Sequence, residues 1–238
     1  MMHNILSRRY STLIATFMLL AGCRRASAPA QPVTVAIKVD AGGGAPIACP
    51  PEMAPIPGFG CIDRYEASAD IVSSDGGSAT GLGSPDGTGT TIIARSRPGV
   101  IPLNNVSVGQ ARRACENAGK RLCGEHEWVA ACRGPNHWEY PYGNTFEPKR
   151  CNDWNVVPYG PHPLAKTGEY ARCVTPAGVY DLANNLGEWM NERSRTGPFH
   201  EIRGGTYHMT VHDSACDEDD YTAPPESQRP DIGFRCCR

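Results

Sequence analysis

Several absences narrow what this chain of 238 residues can be. It has no excess of positive charge: 23 Lys and Arg stand against 25 Asp and Glu, for a formal net charge of −2. Nucleic-acid binding draws on lysines and arginines that release counterions from phosphates, and this balance supplies no such drive. There are no paired C-x-x-C clusters, so zinc binding is the weaker reading of its eleven cysteines. No internal repeat is visible. The apolar run Thr12 to Leu20 is shorter than the roughly 20 residues a permanent membrane span needs. Finally, the stretch Thr206 to Ala215, TYHMTVHDSA, holds no cysteine in a chain otherwise rich in it.

What is present at the N-terminus reads as an export signal. Arg8 and Arg9 precede the apolar run, and Leu20-Ala21-Gly22-Cys23 follows it. The order matches a secretory signal peptide whose cleavage before Cys23 leaves that residue to be acylated, as in a bacterial lipobox. An ordinary signal peptide with a nearby cysteine is the competing reading. Cleavage removes residues 1–22 with two arginines and no acids, which leaves 21 basic against 25 acidic residues. Acyl chains on Cys23 would anchor the protein, since each buried methylene contributes about 0.8 kcal/mol. Arg24, standing where an inner-membrane retention signal has Asp, favours the outer membrane of a bacterial envelope. Residues 23–48 are rich in Ala, Pro and Gly and read as a tether. Residues 49–238 then form one domain of ordinary size.

With Cys23 set aside, the ten cysteines from Cys49 to Cys237 are even in number, which in an exported chain points to a disulfide framework. The stretch Cys61-Ile62-Asp63-Arg64-Tyr65-Glu66-Ala67-Ser68 alternates imperfectly and suggests a short strand. Ser73 to Thr91 is rich in Gly, Ser, Asp and Thr and reads as a surface loop. Ser107 is placed to cap a helix whose apolar face carries Val108, Ala111, Cys115 and Ala118, with Gly119 as its stop. A second helix is expected from Glu125 to Cys132, with Trp128, Ala131 and Cys132 on one face and Glu125 and Glu127 at its dipole-favoured start.

These elements carry a resemblance. Read together, GKRLCGEHEWVAACRG, Gly119 to Gly134, is similar to the Gly-Lys-Arg-Leu-Pro-Thr-Glu-x-Glu-Trp-Glu-x-Ala-x-Arg-Gly of formylglycine-generating enzymes, the sulfatase-modifying oxidases. Cys61 to Ser68 resembles the opening motif of that family, and Tyr140-Pro141-Tyr142-Gly143-Asn144 its Trp-Gly-Asn turn. Gly178 to Trp189, GVYDLANNLGEW, resembles Gly-Leu-Tyr-Asp-Met-x-Gly-Asn-Val-Trp-Glu-Trp. The C-terminal frame, Ile202-Arg203-Gly204-Gly205 and Gly233-Phe234-Arg235-Cys236-Cys237, completes it. The resemblance covers nearly all of residues 49–238. It implies an α+β fold, an elaborated C-type-lectin-like domain that is loop-rich and disulfide-stabilised.

The resemblance also implies a calcium site, with side-chain ligands Asp181 and Glu188 and backbone carbonyls of Asn184 and Leu186. Such a mixed oxygen set suits that ion. The alternative is that Asp181 caps a turn and Glu188 pairs with an arginine such as Arg203. Asn152 matches, weakly, one ligand of a first calcium site. Gly187 stands where the family has a Trp that lines the active-site groove, which implies a missing wall. Two family disulfides map onto Cys132–Cys216 and Cys115–Cys236. From proximity alone the rest pair as Cys49–Cys61, Cys151–Cys173 and Cys123–Cys237, one choice among many connectivities.

In the family, the stretch after Arg-Gly-Gly-Ser holds two redox cysteines that bind copper and oxidise a substrate cysteine. Here that stretch has no thiol, so copper is not expected and no catalytic residue is assigned. Thr206, His208 and His212 are the groove candidates. The spacing of His208 and His212 would suit a metal on a helix, but Gly204-Gly205 argues against a helix there. The acidic run Asp217 to Asp220 reads as a solvated loop. Three functions follow: a non-catalytic, lipid-anchored relative that binds a peptide, protein or glycan in the old groove; an enzyme with altered, cysteine-independent oxidative chemistry; and, least supported, a working formylglycine generator.

Overall fold

Ser107 begins helix α1 (Val108–Asn117) by a reciprocal cap: its hydroxyl accepts from the Gln110 amide at 3.3 Å, and Gln110 Oε1 accepts from the Ser107 amide at 2.5 Å. Val108, Ala111, Ala114 and Cys115 are buried on its inner face. At the far end the left-handed Gly119 (φ 70°) turns the chain out of the helix. Helix α2 (Glu125–Arg133) has Gly124 at its start, where no side-chain cap is possible. Two glutamates substitute: Glu127 Oε2 accepts from the Gly124 amide at 2.9 Å, and Glu192 Oε2 from the Glu125 amide at 2.8 Å.

The computed structural model describes residues 48–73, 90–157, 163–195, 197–209, 214–218 and 221–238. The expected signal peptide, Cys23 and nearly all of the tether lie outside the described residues. Three small sheets surround the two helices. One is ordered β1 (Met53–Ile56), β2 (Gly60–Asp63), β10 (Cys236–Cys237), β5 (Arg121–Leu122). A two-stranded hairpin pairs β3 (Ala67–Ser73) with β4 (Thr90–Ser96) from Ala67↔Ser96 to Ser73↔Thr90. The third is ordered β8 (Thr222–Ala223), β7 (His200–Arg203), β6 (Gly187–Arg193), β9 (Ile232–Gly233), with β9 parallel to β6. The surface loop expected over 73–91 is thus corrected at its ends. Ser73 closes β3, and Thr90 and Thr91 open β4, where β-branched Thr-Thr-Ile-Ile suits a pleated pair.

Two main apolar cores result, beside a small third cluster at Cys151, Cys173 and Ala183. One gathers α1, Trp189, Ile202, Ile232 and Phe234; the other gathers α2, Ile56, Ile62, Val179, Leu182 and Met190. Five disulfides brace the domain: Cys115–Cys236 lies within the first core, Cys123–Cys237 and Cys132–Cys216 within the second, and Cys49–Cys61 and Cys151–Cys173 outside both. These are the pairings that resemblance and proximity had suggested. Adjacent Cys236 and Cys237 reach different partners because successive side chains of a strand face opposite ways, so one enters each core. Three bridges span 84 to 121 residues, long loops for which chain entropy suggests roughly 5 kcal/mol each.

Asp63, at the end of β2, is fully buried. Its Oδ1 accepts from Lys120 Nζ at 2.5 Å, while Oδ2 has no hydrogen-bond partner among the described residues. Burial pushes this carboxyl up to about 6, against the pull of Lys120. A carboxyl raised above its unfolded value favours the fold in its protonated form, so that contribution is lost as pH rises from about 4 to about 6. Urea denaturation across that window should show a smaller decline for Asp63→Asn than for wild type, by roughly 2–3 kcal/mol. Equal slopes would contradict the assignment.

Candidate functional site

The block Gly178 to Trp189 wraps around buried charge. Its backbone curls because Asp181 (φ 58°), Asn184 (φ 60°) and Asn185 (φ 63°) all adopt left-handed conformations, which Asn and Asp tolerate better than most residues. Where the curl ends, β6 carries Glu188 inward. Its Oε1 accepts from Arg235 Nη2 at 2.8 Å and Nε at 3.1 Å, and its Oε2 accepts from Trp128 Nε1 at 2.8 Å. Arg235 is fully buried and donates further to the carbonyls of Asp63 (2.9 Å) and Tyr180 (2.8 Å). The arginine facing Glu188 is therefore Arg235, whereas Arg203 pairs with Glu125.

Asn185, which sequence reading passed over, is the hub of a second network. Its Oδ1 accepts from Asn152 Nδ2 (2.9 Å) and the Ala165 amide (3.0 Å), and its Nδ2 donates to Glu66 Oε2 (2.6 Å). Glu66 Oε1 accepts from the Leu186 amide at 3.0 Å. Asn152 also donates to the Pro163 carbonyl at 3.2 Å, so its amide group ties loops together. The only available clue was that Asn185 adjoins another Asn in a loop built around left-handed turns.

Glu66, Asp181 and Glu188 place three buried carboxylates around one guanidinium. Burial, reinforced by Asp181 and Glu188, pushes Glu66 well above the usual carboxylate range. Burial likewise pushes Asp181 up to about 7, although the Gly168 amide donates to its Oδ2 at 2.7 Å. Hard oxygen donors with an excess of negative charge fit calcium in type and in charge. Among the described residues no three side chains of His, Cys, Asp or Glu are placed to share a metal, so such a site would lean on the Asn184 and Leu186 carbonyls. Glu188 fits least well, because Arg235 and Trp128 already occupy both its oxygens. Asp181 is the carboxylate with room, since Oδ1 accepts no hydrogen bond among the described residues.

The groove candidates are arranged differently from expectation. Thr206 is 1 % exposed, its hydroxyl accepts from the His208 amide at 3.3 Å, and its carbonyl accepts from Asn184 Nδ2 at 3.0 Å. Burial and these two bonds hold it within the interior. His208 is exposed, with its ring 4.0 Å from that of Tyr207. His212 lies outside the described residues. Gly187 opens no gap: it is buried, and a Cβ there would stand 2.8 Å from Ile202 Cγ2, with Thr206 and Tyr221 close behind. The acidic run is not wholly solvated, for Asp217 pairs with Arg133 and the Glu218 carbonyl accepts from Arg203.

Comparison with known proteins follows the same lines. A family model described as the sulfatase-modifying factor enzyme 1-like domain matches residues 66–238. The chain is 32 % identical over 153 residues to inactive Cα-formylglycine-generating enzyme 2 of Bos taurus, covering 57 % of this chain and 50 % of that protein. It is 29 % identical over 188 residues to formylglycine-generating enzyme of Thermomonospora curvata, covering 64 % and 59 %. Active and inactive relatives thus lie at nearly equal distance, and the chain spans about half the length of the curated relatives it matches. In fold it resembles PvdO from Pseudomonas aeruginosa, with a TM-score of 0.51, 16 % identity, and coverage of 74 % of this chain and 78 % of that one.

Removing the guanidinium tests the buried cluster. Arg235→Met should cost about 3–5 kcal/mol in urea unfolding, because it leaves Glu188 charged, buried and without its counter-ion. A loss below about 1 kcal/mol would show that the pair does not organise the domain.

Proposed function

Because this chain belongs to the sulfatase-modifying factor enzyme 1-like domain family, we propose that it is a non-catalytic member, which binds a peptide, protein or glycan in the groove near Tyr207 and His208. The observation that carries this reading is the state of the cysteines. All ten from Cys49 to Cys237 are joined in disulfides, and none lies between Gly205 and Cys216. Oxidising a substrate cysteine in the manner of the family takes a reactive thiolate at that place. Cys216, the nearest, is fully buried and bonded to Cys132. Relatives named as inactive support the same reading.

The proposal extends to the setting. Cys23 carries lipid, residues 23–48 tether the domain, and the protein is held at the bacterial envelope, at the outer membrane where there is one. Calcium belongs to the scaffold, held at Asp181 with the carbonyls of Asn184 and Leu186 and with a share of Glu188. When bound it offsets the excess carboxylate charge and stiffens the loop, and Asp181 keeps the Gly168 amide in place beside it.

Two measurements test this. The disulfide-bonded protein, incubated in air with copper and a cysteine peptide of the sulfatase type, should yield no aldehyde by hydrazide capture and mass spectrometry. Detectable formylglycine would sink the non-catalytic reading. Separately, calcium in about hundredfold excess over its Kd should stabilise the chelator-treated protein by about 2.7 kcal/mol, an effect abolished in Asp181→Ala. An unchanged melting temperature on adding calcium would refute the ion's role.

A further inference from the structure

On one side of the domain, four segments of the chain line an open cleft of about 480 Å³, with Tyr65, Gly99, Lys166, Gly168, Glu169 and Tyr180 among the lining residues. None of its lining residues belongs to the groove around Thr206 and His208, so it is a separate site. Its volume falls within the usual range for small-molecule sites, about 300–1,000 Å³.

The walls are preorganised. The Gly99 amide donates to the Thr167 carbonyl at 2.8 Å, the Thr167 amide to the Val100 carbonyl at 2.9 Å, and the Thr167 hydroxyl to the Arg97 carbonyl at 2.6 Å. The Tyr180 amide donates to the Arg64 carbonyl at 2.8 Å, and the Gly168 amide to buried Asp181. Tyr65 and Tyr180 stack with centroids 5.0 Å apart and planes inclined by 13°. Gly168 allows that stack: at φ 70°, a Cβ would fall 2.8 Å from Tyr65 Cε1. A site rigid before binding loses little conformational freedom to its ligand.

The polar groups left over define the ligand. The hydroxyls of Tyr65 and Tyr180 have no hydrogen-bond partner, and Lys166 forms no ion pair, among the described residues. Glu169 stands beside them, with its Oε2 accepting the Lys166 amide at 3.0 Å. By contrast, the amides of Gly99, Val100, Thr167, Gly168, Glu169 and Ala171 are all satisfied within the chain. An extended peptide therefore finds no ladder of backbone donors to join. What remains is two phenols, an ammonium and a carboxylate beside electron-rich ring faces. That combination matches a ring with hydroxyls on its rim and weakly positive C–H groups on its face.

We propose that this cleft binds a pyranose unit of a glycan, with the sugar's C–H face against the tyrosine pair and its hydroxyls bonded to Lys166, Glu169 and the tyrosine hydroxyls. Saturation-transfer-difference NMR on the whole protein, with methyl glucoside, galactoside and mannoside as probes, should show transfer from protein to at least one sugar ring. Lys166→Ala and Ala171→Trp, both at exposed positions, should each weaken that binding at least fivefold with an unchanged melting temperature, the second by filling the mouth of the cleft. No transfer to any of the three sugars, or transfer undiminished in Ala171→Trp, would overturn the assignment. So would binding of an oligoproline peptide in their place. Because none of these readouts involves the groove around His208, failure here leaves the non-catalytic reading standing.

Discussion

One buried guanidinium sets the terms for the rest of this domain. Arg235 is enclosed with its donors directed at Glu188, at the Asp63 carbonyl of β2 and at the Tyr180 carbonyl of the curled loop. Glu188 passes the constraint on to α2 through the indole of Trp128. Burying an ion pair costs desolvation that its mutual attraction scarcely exceeds, so the arrangement is tolerable only because the lone pairs and N–H groups are matched. That requirement fixes geometry more than it adds stability. Any shift of β2, α2 or the loop would leave a charge in the interior without its partner.

The covalent framework reinforces the same few residues. Phe234 enters one core, Arg235 lies between charged partners, Cys236 bridges to α1 and Cys237 to Cys123 beside β5. Four consecutive side chains thus connect both cores, both helices and two sheets. Outside the β3–β4 hairpin the ladders are short, and two- to four-residue ladders do not hold a sheet by hydrogen bonding alone. Long-range disulfides make up the difference by restricting the unfolded chain.

Local signals in the sequence located α1 and α2 well: Ser107, Gly119 and the spacing of Val108, Ala111 and Cys115 are contained within a few turns. The fold class and five cysteine pairs came from resemblance and proximity and recur in the structure. Relations spanning long separations were not legible. Nothing within Gly178 to Trp189 indicates that Glu188 faces an arginine 47 residues onward, and Arg203 was an equally charged candidate. The role of Asn185 depends on Glu66, 119 residues earlier. The burial of Thr206 depends on Asn184 reaching its carbonyl and on the absence of a side chain at Gly187. Polar composition hid the ends of the β3–β4 hairpin, whose register depends on seven cross-strand pairs.

These contacts also explain how the frame of an oxidase can persist without its thiols. Among the residues that resemble the family motifs, Trp128, Glu188 and Arg235 are bonded to one another in the interior, and Asp181 is buried near the same guanidinium. The first residues after Gly205 join that interior: Thr206 through its carbonyl to Asn184, and the Tyr207 amide through the Asn185 carbonyl at 2.9 Å. Beyond Tyr207 the chain turns toward solvent at His208 and is fixed again at Cys216. The bonds of Arg235 run to Glu188, Asp63 and Tyr180, none of which lies between those two anchors. Chemistry carried on side chains outside that set can therefore change or vanish while Arg235 and its partners stay matched.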